Sequence, residues 1–200
     1  VLLAGATAML PVYARDILMV GPDGLGQLRA APAVGASVVA LMLTFRPLRH
    51  NVGAKMLWAV VVFGVATIGF GLSHEIGAHI FGDARIGFLN MGAGMAVALV
   101  MLVVLGASDM LSVYVRSSLV QLNTPDDMRG RVSSVSGLAI SASNELGELQ
   151  SGLAAAVLGP VGAVVFGGFG AIFVTAIWAG LFPELKNART FEPQYRGKSP

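Results

Sequence analysis

Cysteine is absent from this chain, and charged residues occupy only 12% of its 200 positions. Without cysteine, the chain forms neither a disulfide framework nor a thiolate metal site. A soluble domain carries about 25% charged residues, so half that density leaves too little polar surface to dissolve it. The net charge of +2 comes without a basic block interleaved with aromatics, which argues against nucleic-acid binding. The 55% hydrophobic content and 26 glycines instead predict an all-α integral membrane protein.

The first residues, VLLAGATAMLPVYARD, lack both an initiator methionine and the basic region of a signal peptide. Only fourteen uncharged residues precede Arg15, whereas a membrane span needs roughly 20. We therefore expect a helix cut in its middle, in a chain that is part of a larger protein.

Apolar runs separated by turn residues predict six spans. They cover about 1–14, 24–45, 54–72, 88–113, 131–157 and 161–182, the fourth continuing helically to about 122. Gly159 followed by Pro160 separates the last two. We expect a transmembrane domain over 1–182 and a tail over 183–200. The segment 123–131 reads as a helical turn with Thr124 as its N-cap, and 73–87 as a longer outer loop with an interfacial helix.

Basic residues concentrate in alternate loops. Ten of the 13 belong to one set, Arg46, Arg49, Lys55, Arg116, Arg129, Arg131, Lys186, Arg189, Arg196 and Lys198, and Arg15, Arg29 and Arg85 belong to the other. The positive-inside rule places the first set in the cytoplasm. The prediction is a multi-pass protein of the plasma (inner) membrane with a cytoplasmic C-terminus.

Ionisable residues divide the spans into two groups. The third and sixth spans hold none beyond Lys55, which belongs to the cytoplasmic loop; the second holds Arg29, the fourth Asp109 and Arg116, and the fifth Glu145 and Glu148. Such groups face a bundle interior or a watery cavity, because lipid cannot solvate them. Spans two, four and five should therefore line a cavity, and spans three and six should be peripheral.

The fifth span carries these groups on one face, which we name the polar arc. Its members fall within roughly 100° of the helix circumference: Ser134, Gly137, Ser141, Asn144, Glu145, Glu148 and Gly152. A leucine-rich face lies opposite, and a row of small residues, Ala139, Ser143, Gly147 and Ser151, should admit a neighbouring helix. On the fourth span, Asp109, Ser112 and Arg116 share a face.

Counting residues from the cytoplasmic turns estimates the depth of each group. Asp109 and Glu145 come out at a similar height, and Arg29 matches Glu148 at roughly 25 Å above the cytoplasmic ends. Arg29 is therefore a reasonable partner for Glu148. The alternative, that Arg29–Glu148 and Asp109–Arg116 are buried pairs that only hold helices together, stays open.

Several stretches resemble the C-terminal half of a major facilitator superfamily transporter, and more narrowly the enterobactin-exporter-like subgroup. The most specific lie within GASDMLSVYVRSSLVQLNTPDDMRGRV (106–132) and SASNELGELQSGL (141–153), supported by PVYARDIL, VGPDGLGQLRAAPAVGA and LFPEL. The resemblance implies spans seven to twelve of a twelve-helix fold, with alternating access around a midplane site. The loop FRPLRHNVGAK departs from the superfamily motif because it lacks the aspartate.

The resulting hypothesis is a proton-coupled exporter of small amphipathic molecules such as siderophores or drugs. Glu145 and Glu148, flanked by Asn144 and Ser141, would bind protons or cations; Asp109, Ser112, Arg116 and Arg29 would shape the cavity. Inter-half contacts at the cytoplasmic gate would involve Arg46, Arg49, Asp126, Asp127, Arg129 and Arg131. The expected partners are the N-terminal six-helix half, the lipid bilayer, a small-molecule substrate and protons, with no cofactor.

Other functional classes have less support. A membrane-embedded aspartyl protease needs a Gly-x-Gly-Asp segment, and LGASD (105–109) lacks the second glycine. His74 and His79 are five residues apart, which is not the spacing of a zinc helix, so no metal site is predicted. A transport-inactive half or membrane interaction protein remains the alternative to a transporter.

Overall fold

The computed structural model of the chain describes residues 5–48, 51–81, 85–86 and 91–181. In chain order the helices are α1 (Gly5–Ala8), α2 (Leu10–Val12), a π-helical turn (Tyr13–Ile17), α3 (Gly21–Phe45), α4 (Val52–Gly71), α5 (Ser73–Phe81), α6 (Ala93–Leu122) and α7 (Arg129–Leu181). Two short strands, β1 (Arg85–Ile86) and β2 (Met91–Gly92), pair antiparallel between α5 and α6. The described residues are α-helical apart from this ladder and the turns, as the composition predicts.

Four of these helices, α3, α4, α6 and α7, are long and apolar enough to cross a membrane. The sequence predicts α3 and α4 closely. The start of α6 is predicted about five residues too early, because Met91 and Gly92 belong to β2. The predicted tail, 183–200, lies outside the described residues.

Helix α7 is a pair of helical arms joined at a break. Gly159 has φ 76° and ψ 168°, which no helix contains, and Pro160 follows it. Pro160 has no N–H for the helical ladder, and the left-handed φ favours glycine. The first arm (129–158) and the second arm (160–181) each exceed the ~20 residues that a span needs. The predicted division between the last two spans is therefore confirmed.

The turn between α6 and α7 differs in detail from its prediction. A turn does form, closed by a hydrogen bond from the Met128 N–H to the Pro125 carbonyl at 3.1 Å. Thr124 is not its N-cap, since its hydroxyl donates backwards to the Val120 carbonyl at 2.6 Å. That carbonyl lies in the last turn of α6 and has no helical donor of its own, so it competes for the hydroxyl. A helix, α5, is present within the predicted loop 73–87.

Glycines set the distance between α3 and α6. A Cβ added to Gly106 would lie 2.5 Å from the Pro32 Cα, and one added to Gly35 would lie 2.9 Å from the Ala107 backbone nitrogen. Near the starts of the two helices, Gly94 faces Leu18, which just precedes α3. The first turns of the two helices therefore lie near each other, and so do their middles. Helices α3 and α6 thus run in the same direction. The absence of side chains at the crossing lets the two backbones touch.

A second glycine contact joins α4 to the second arm of α7. A Cβ on Gly64 would lie 2.9 Å from the Gly168 carbonyl oxygen, and one on Gly168 would lie 2.8 Å from the Gly64 oxygen. Gly71, at the other end of the contact, faces Val164 and Val165. The two helices therefore run antiparallel, as expected for the third and sixth of the predicted spans.

The apolar core lies where the ends of several helices meet. Tyr13 and Phe70 are fully buried, with ring centroids 4.5 Å apart. The Tyr13 hydroxyl donates to the Gly71 carbonyl at 2.9 Å. Because Gly71 is the last residue of α4, no helical N–H reaches that carbonyl, and Tyr13 satisfies it. This contact ties the N-terminal segment to the rest of the bundle.

Replacing Gly35 with alanine should separate α3 from α6. The added methyl group would overlap the α6 backbone, an overpacking cost of about 1–3 kcal/mol. We expect a lower apparent melting temperature in detergent for Gly35→Ala. Gly26→Ala is the control on the same helix, because nothing lies within 4 Å of its added Cβ. A Gly35→Ala protein as stable as Gly26→Ala would contradict the close crossing.

Removing the Tyr13 hydroxyl should weaken the attachment of the N-terminal segment. Tyr13→Phe leaves the Gly71 carbonyl without a partner in a buried position, at a cost of about 1–3 kcal/mol. The expected result is a lower melting temperature and faster proteolysis near Arg15. Thr44→Val is the control, because it removes an exposed hydroxyl whose hydrogen bond lies within its own helix. An unchanged protease-cleavage rate in Tyr13→Phe would show that the hydrogen bond is not needed for the attachment.

Candidate functional site

The polar arc lies on the open side of the first arm of α7. All seven of its residues are exposed, including Asn144, Glu145, Glu148 and Ser141. The row of small residues is the more covered face: Gly147 is buried, and Ser143 and Ser151 are half-buried. Helix α7 makes its main contacts with α1 and α4. The carboxylates therefore lie on a face of the first arm that the described residues leave uncovered.

The covered row is well suited to close packing. The Ser151 hydroxyl donates to the Gly147 carbonyl at 2.8 Å, so its polarity is satisfied within its own helix. Ala139, the first member of the predicted row, is exposed instead. The row of small residues is thus partly covered over 143–151 and open at its N-terminal end.

The leucine-rich face of the same arm is also open. Leu138 is 73% exposed, and Leu149 and Leu153 are 61% and 63% exposed. Together the first arm presents one packed face, one apolar open face and one polar open face. In a bilayer the apolar face has lipid as its natural neighbour, whereas the polar face needs water or another polar surface.

The other charged positions are exposed as well. Arg29 on α3 is exposed next to the fully buried Leu28. On α6, Asp109 and Arg116 are exposed and Ser112 between them is half-buried. The unbroken helix over 93–122 places these three on one face, as predicted.

The crossing of α3 and α6 fixes the relative depth of Arg29 and Asp109. Arg29 precedes the contact residue Pro32 by three positions, and Asp109 follows Gly106 by three. Since the helices run in the same direction, the two side chains leave the backbone roughly 10 Å apart along the bundle axis. Counting residues from the predicted cytoplasmic turns also places Arg29 further than Asp109 from those turns, but by a smaller distance.

The predicted Arg29–Glu148 pair is not formed. Within 5–48, 51–81 and 91–181, the ion pairs are Arg15–Asp16 at 2.6 Å and Arg129–Asp126 at 2.7 Å. Both Arg29 and Glu148 are exposed, and α7 packs mainly against α1 and α4 rather than α3. Counting residues estimates how deep each side chain lies, but it does not show which helices are neighbours. Asp109 and Arg116 do not form an ion pair either.

Helix α4 differs from the other long helices in having less exposed surface. It is the most enclosed of the four long helices, between α6 and the second arm of α7. A helix enclosed by its own chain has little surface to offer a cavity. This agrees with the lack of ionisable residues in its interior.

The predicted cytoplasmic gate is only partly described. Arg46 caps the end of α3 and is exposed. Asp126 and Arg129 form the i,i+3 ion pair, and Asp127 and Arg131 are exposed beside them. Arg49 lies outside the described residues. The α6–α7 turn thus presents two acids and two bases to the surface.

One exposed ion pair marks the opposite end of the bundle. Arg15 donates from Nε to the Asp16 carboxylate at 2.6 Å. This hydrogen bond lowers the pKa of Asp16 below its ordinary value. Sequence reasoning passed over this pair, because neighbouring residues do not usually face each other; the π-helical turn over Tyr13–Ile17 is what departs from helical spacing.

Comparisons of the chain with protein-family models, with curated proteins and with solved structures find no significant match. The evidence for a functional site is therefore the pattern of the residues themselves: carboxylates, amide and hydroxyl groups gathered on the open face of one membrane-spanning arm, with an arginine and an aspartate exposed on the two helices that cross beside each other.

Proposed function

We propose that the chain is one six-helix half of a secondary active transporter, which exports small amphipathic molecules in exchange for protons by alternating access. The observation that carries this proposal is the open polar arc. Two carboxylates on an apolar spanning arm lie on a face that the described residues leave uncovered. Hydrocarbon does not solvate them, so a watery cavity or a polar partner must.

The missing wall of that cavity is the proposed N-terminal half of the same protein. Helices α3, α6 and the first arm of α7 each carry exposed charged groups, whereas α4 and the second arm of α7 carry none in their spanning parts. A second half docked over the first set would enclose a cavity lined by Glu145, Glu148, Asp109 and Arg29. The resemblance to the major facilitator superfamily implies this same arrangement.

In such a cavity the two groups of charges would have different roles. A carboxylate in a gated cavity gains and loses a proton as its access alternates between the two sides of the membrane. Glu145 and Glu148 are suited to this because no described cation pairs with either. Asp126, Asp127, Arg129 and Arg131 would meet the other half when the cytoplasmic side closes.

A transport-inactive membrane half that only binds another protein is the competing function. The open leucine-rich face favours it, since exposed apolar helix faces also serve as docking surfaces for other helices. The two functions differ in what the carboxylates do. Only a transporter needs Glu145 and Glu148 to ionise reversibly.

Neutralising the carboxylates should separate these functions. In vesicles containing the intact protein, Glu145→Gln and Glu148→Gln should abolish proton-gradient-driven efflux across a panel of siderophores and drugs. Substrate binding and exchange without a gradient should be less affected, because glutamine retains the size and polarity of the side chain.

Glu75→Gln is the matched control, because Glu75 is an exposed carboxylate on α5, outside the spans. It should transport as the unmodified protein does. Normal gradient-driven transport by the Glu145→Gln, Glu148→Gln double variant would overturn the proposed role of the polar arc.

A further inference from the structure

A narrow groove lies between the first turns of α4 and the last turns of the second arm of α7. It encloses about 250 Å³ and is lined by residues from Ala54 to Val61 on α4 and from Ile172 to Ala179 on α7. The only hydroxyl in its walls belongs to Thr175, which donates to the Ala171 carbonyl at 2.7 Å. Apart from the indole N–H of Trp58, the lining side chains offer no free polar group, so the groove suits an apolar occupant.

The shape of the groove suits an extended hydrocarbon chain. Its lining covers seven residue steps on each helix, a length of about 10 Å at ~1.5 Å per residue. The small side chains of the alanines at 54, 176 and 179 leave the groove open along the helices. Both helices are spanning helices, so the groove runs in the direction of lipid acyl chains. An unfilled apolar groove would forfeit dispersion contacts along its whole length.

A basic residue lies beside the end of the groove that Ala54 lines. Lys55 lies in the first turn of α4, next to Ala54 and three residues before Trp58, and is exposed. It forms no ion pair with any residue that the structure describes. No acidic residue occurs anywhere between Asp23 and Glu75, whereas Arg46 and Arg49 precede α4. The sequence that leads into α4 therefore carries basic residues and no acid.

The aromatic residue beside the groove marks its depth. Trp58 is 69% exposed and lines the groove. Tryptophan concentrates at the level of the lipid headgroups, where its ring bridges apolar and polar surroundings. A lysine one turn away extends its stem along apolar surface and its ammonium towards the headgroups. Basic pockets between spanning helices on the cytoplasmic side bind anionic headgroups in this manner.

We infer that this groove, with Lys55 at its mouth, binds one anionic glycerophospholipid. An acyl chain lies along the groove between α4 and the second arm of α7, and the phosphate pairs with the Lys55 ammonium. Arg46 adds to the positive potential that favours an anionic over a zwitterionic lipid. The site is separate from the polar arc and requires only that the chain be embedded in a membrane, so it does not depend on the proposed transport.

Native mass spectrometry of the delipidated intact protein tests this site. The protein is titrated with phosphatidylglycerol and with phosphatidylcholine of the same chain length, and one tightly held phosphatidylglycerol is expected. Lys55→Gln should weaken its binding about fivefold, the ~1 kcal/mol that one basic residue contributes at an anionic membrane surface. Phosphatidylcholine binding should not change, and Lys55→Arg should retain the preference.

Two further variants separate the headgroup from the chain. Ala176→Phe fills the groove and should weaken both lipids, whereas Arg15→Gln, an exposed basic residue at the opposite end of the bundle, should affect neither. Free glycerol phosphate should not compete, since it lacks the acyl chain. If Ala176→Phe fails to fold, Lys55→Gln and the competition still decide the matter.

Three results would overturn the inference. Equal binding of the two lipids by the unmodified protein would remove the role of charge. A preference that survives Lys55→Gln would place the headgroup elsewhere. A rise in lipid binding after deletion of residues 182–200 would identify the chain's own C-terminal segment as the occupant of the groove.

Discussion

Hydrocarbon cannot solvate a carboxylate, and this constraint determines how the first arm of α7 can sit in a membrane. Glu145 and Glu148 occupy an arm whose opposite face is rich in leucine and whose third face packs against the rest of the chain. Only the open polar face remains for them. A cavity or a polar partner must cover that face, and the same reasoning applies to Arg29 and Asp109, which are exposed on α3 and α6.

Glycine contacts hold the helices of the chain together at two crossings. Gly64 meets Gly168 between α4 and the second arm of α7, and Gly35 meets α6 near Gly106. Lipid provides no hydrophobic drive for helices to associate, so close backbone approach supplies the packing. Helices α3 and α6 pack closely on each other and still leave Arg29 and Asp109 exposed. The groove beside Trp58 forms where α4 and α7 carry alanines.

Residue periodicity predicted the four long helices, the break at Gly159 and the polar and leucine-rich faces of the first arm, because each depends on residues close in sequence. The first predicted span is instead a set of short helical pieces over 5–17. Periodicity did not predict which helices are neighbours, so the Arg29–Glu148 pair, built on depth alone, was wrong. Thr124 also failed as an N-cap, since the unpaired carbonyl of Val120 takes its hydroxyl. The Tyr13–Gly71 hydrogen bond joins residues 58 positions apart and left no local signal in the sequence.

Thiol labelling in intact membranes tests the central claim most directly, because the chain has no cysteine of its own to compete. Single cysteines would replace Ser141 on the polar arc, Leu149 on the leucine-rich face and Gly147 on the packed face, and a water-soluble maleimide would be added. A water-filled cavity predicts rapid labelling at 141 and slow labelling at 147 and 149. Labelling at 149 that equals or exceeds labelling at 141 would contradict an aqueous polar arc.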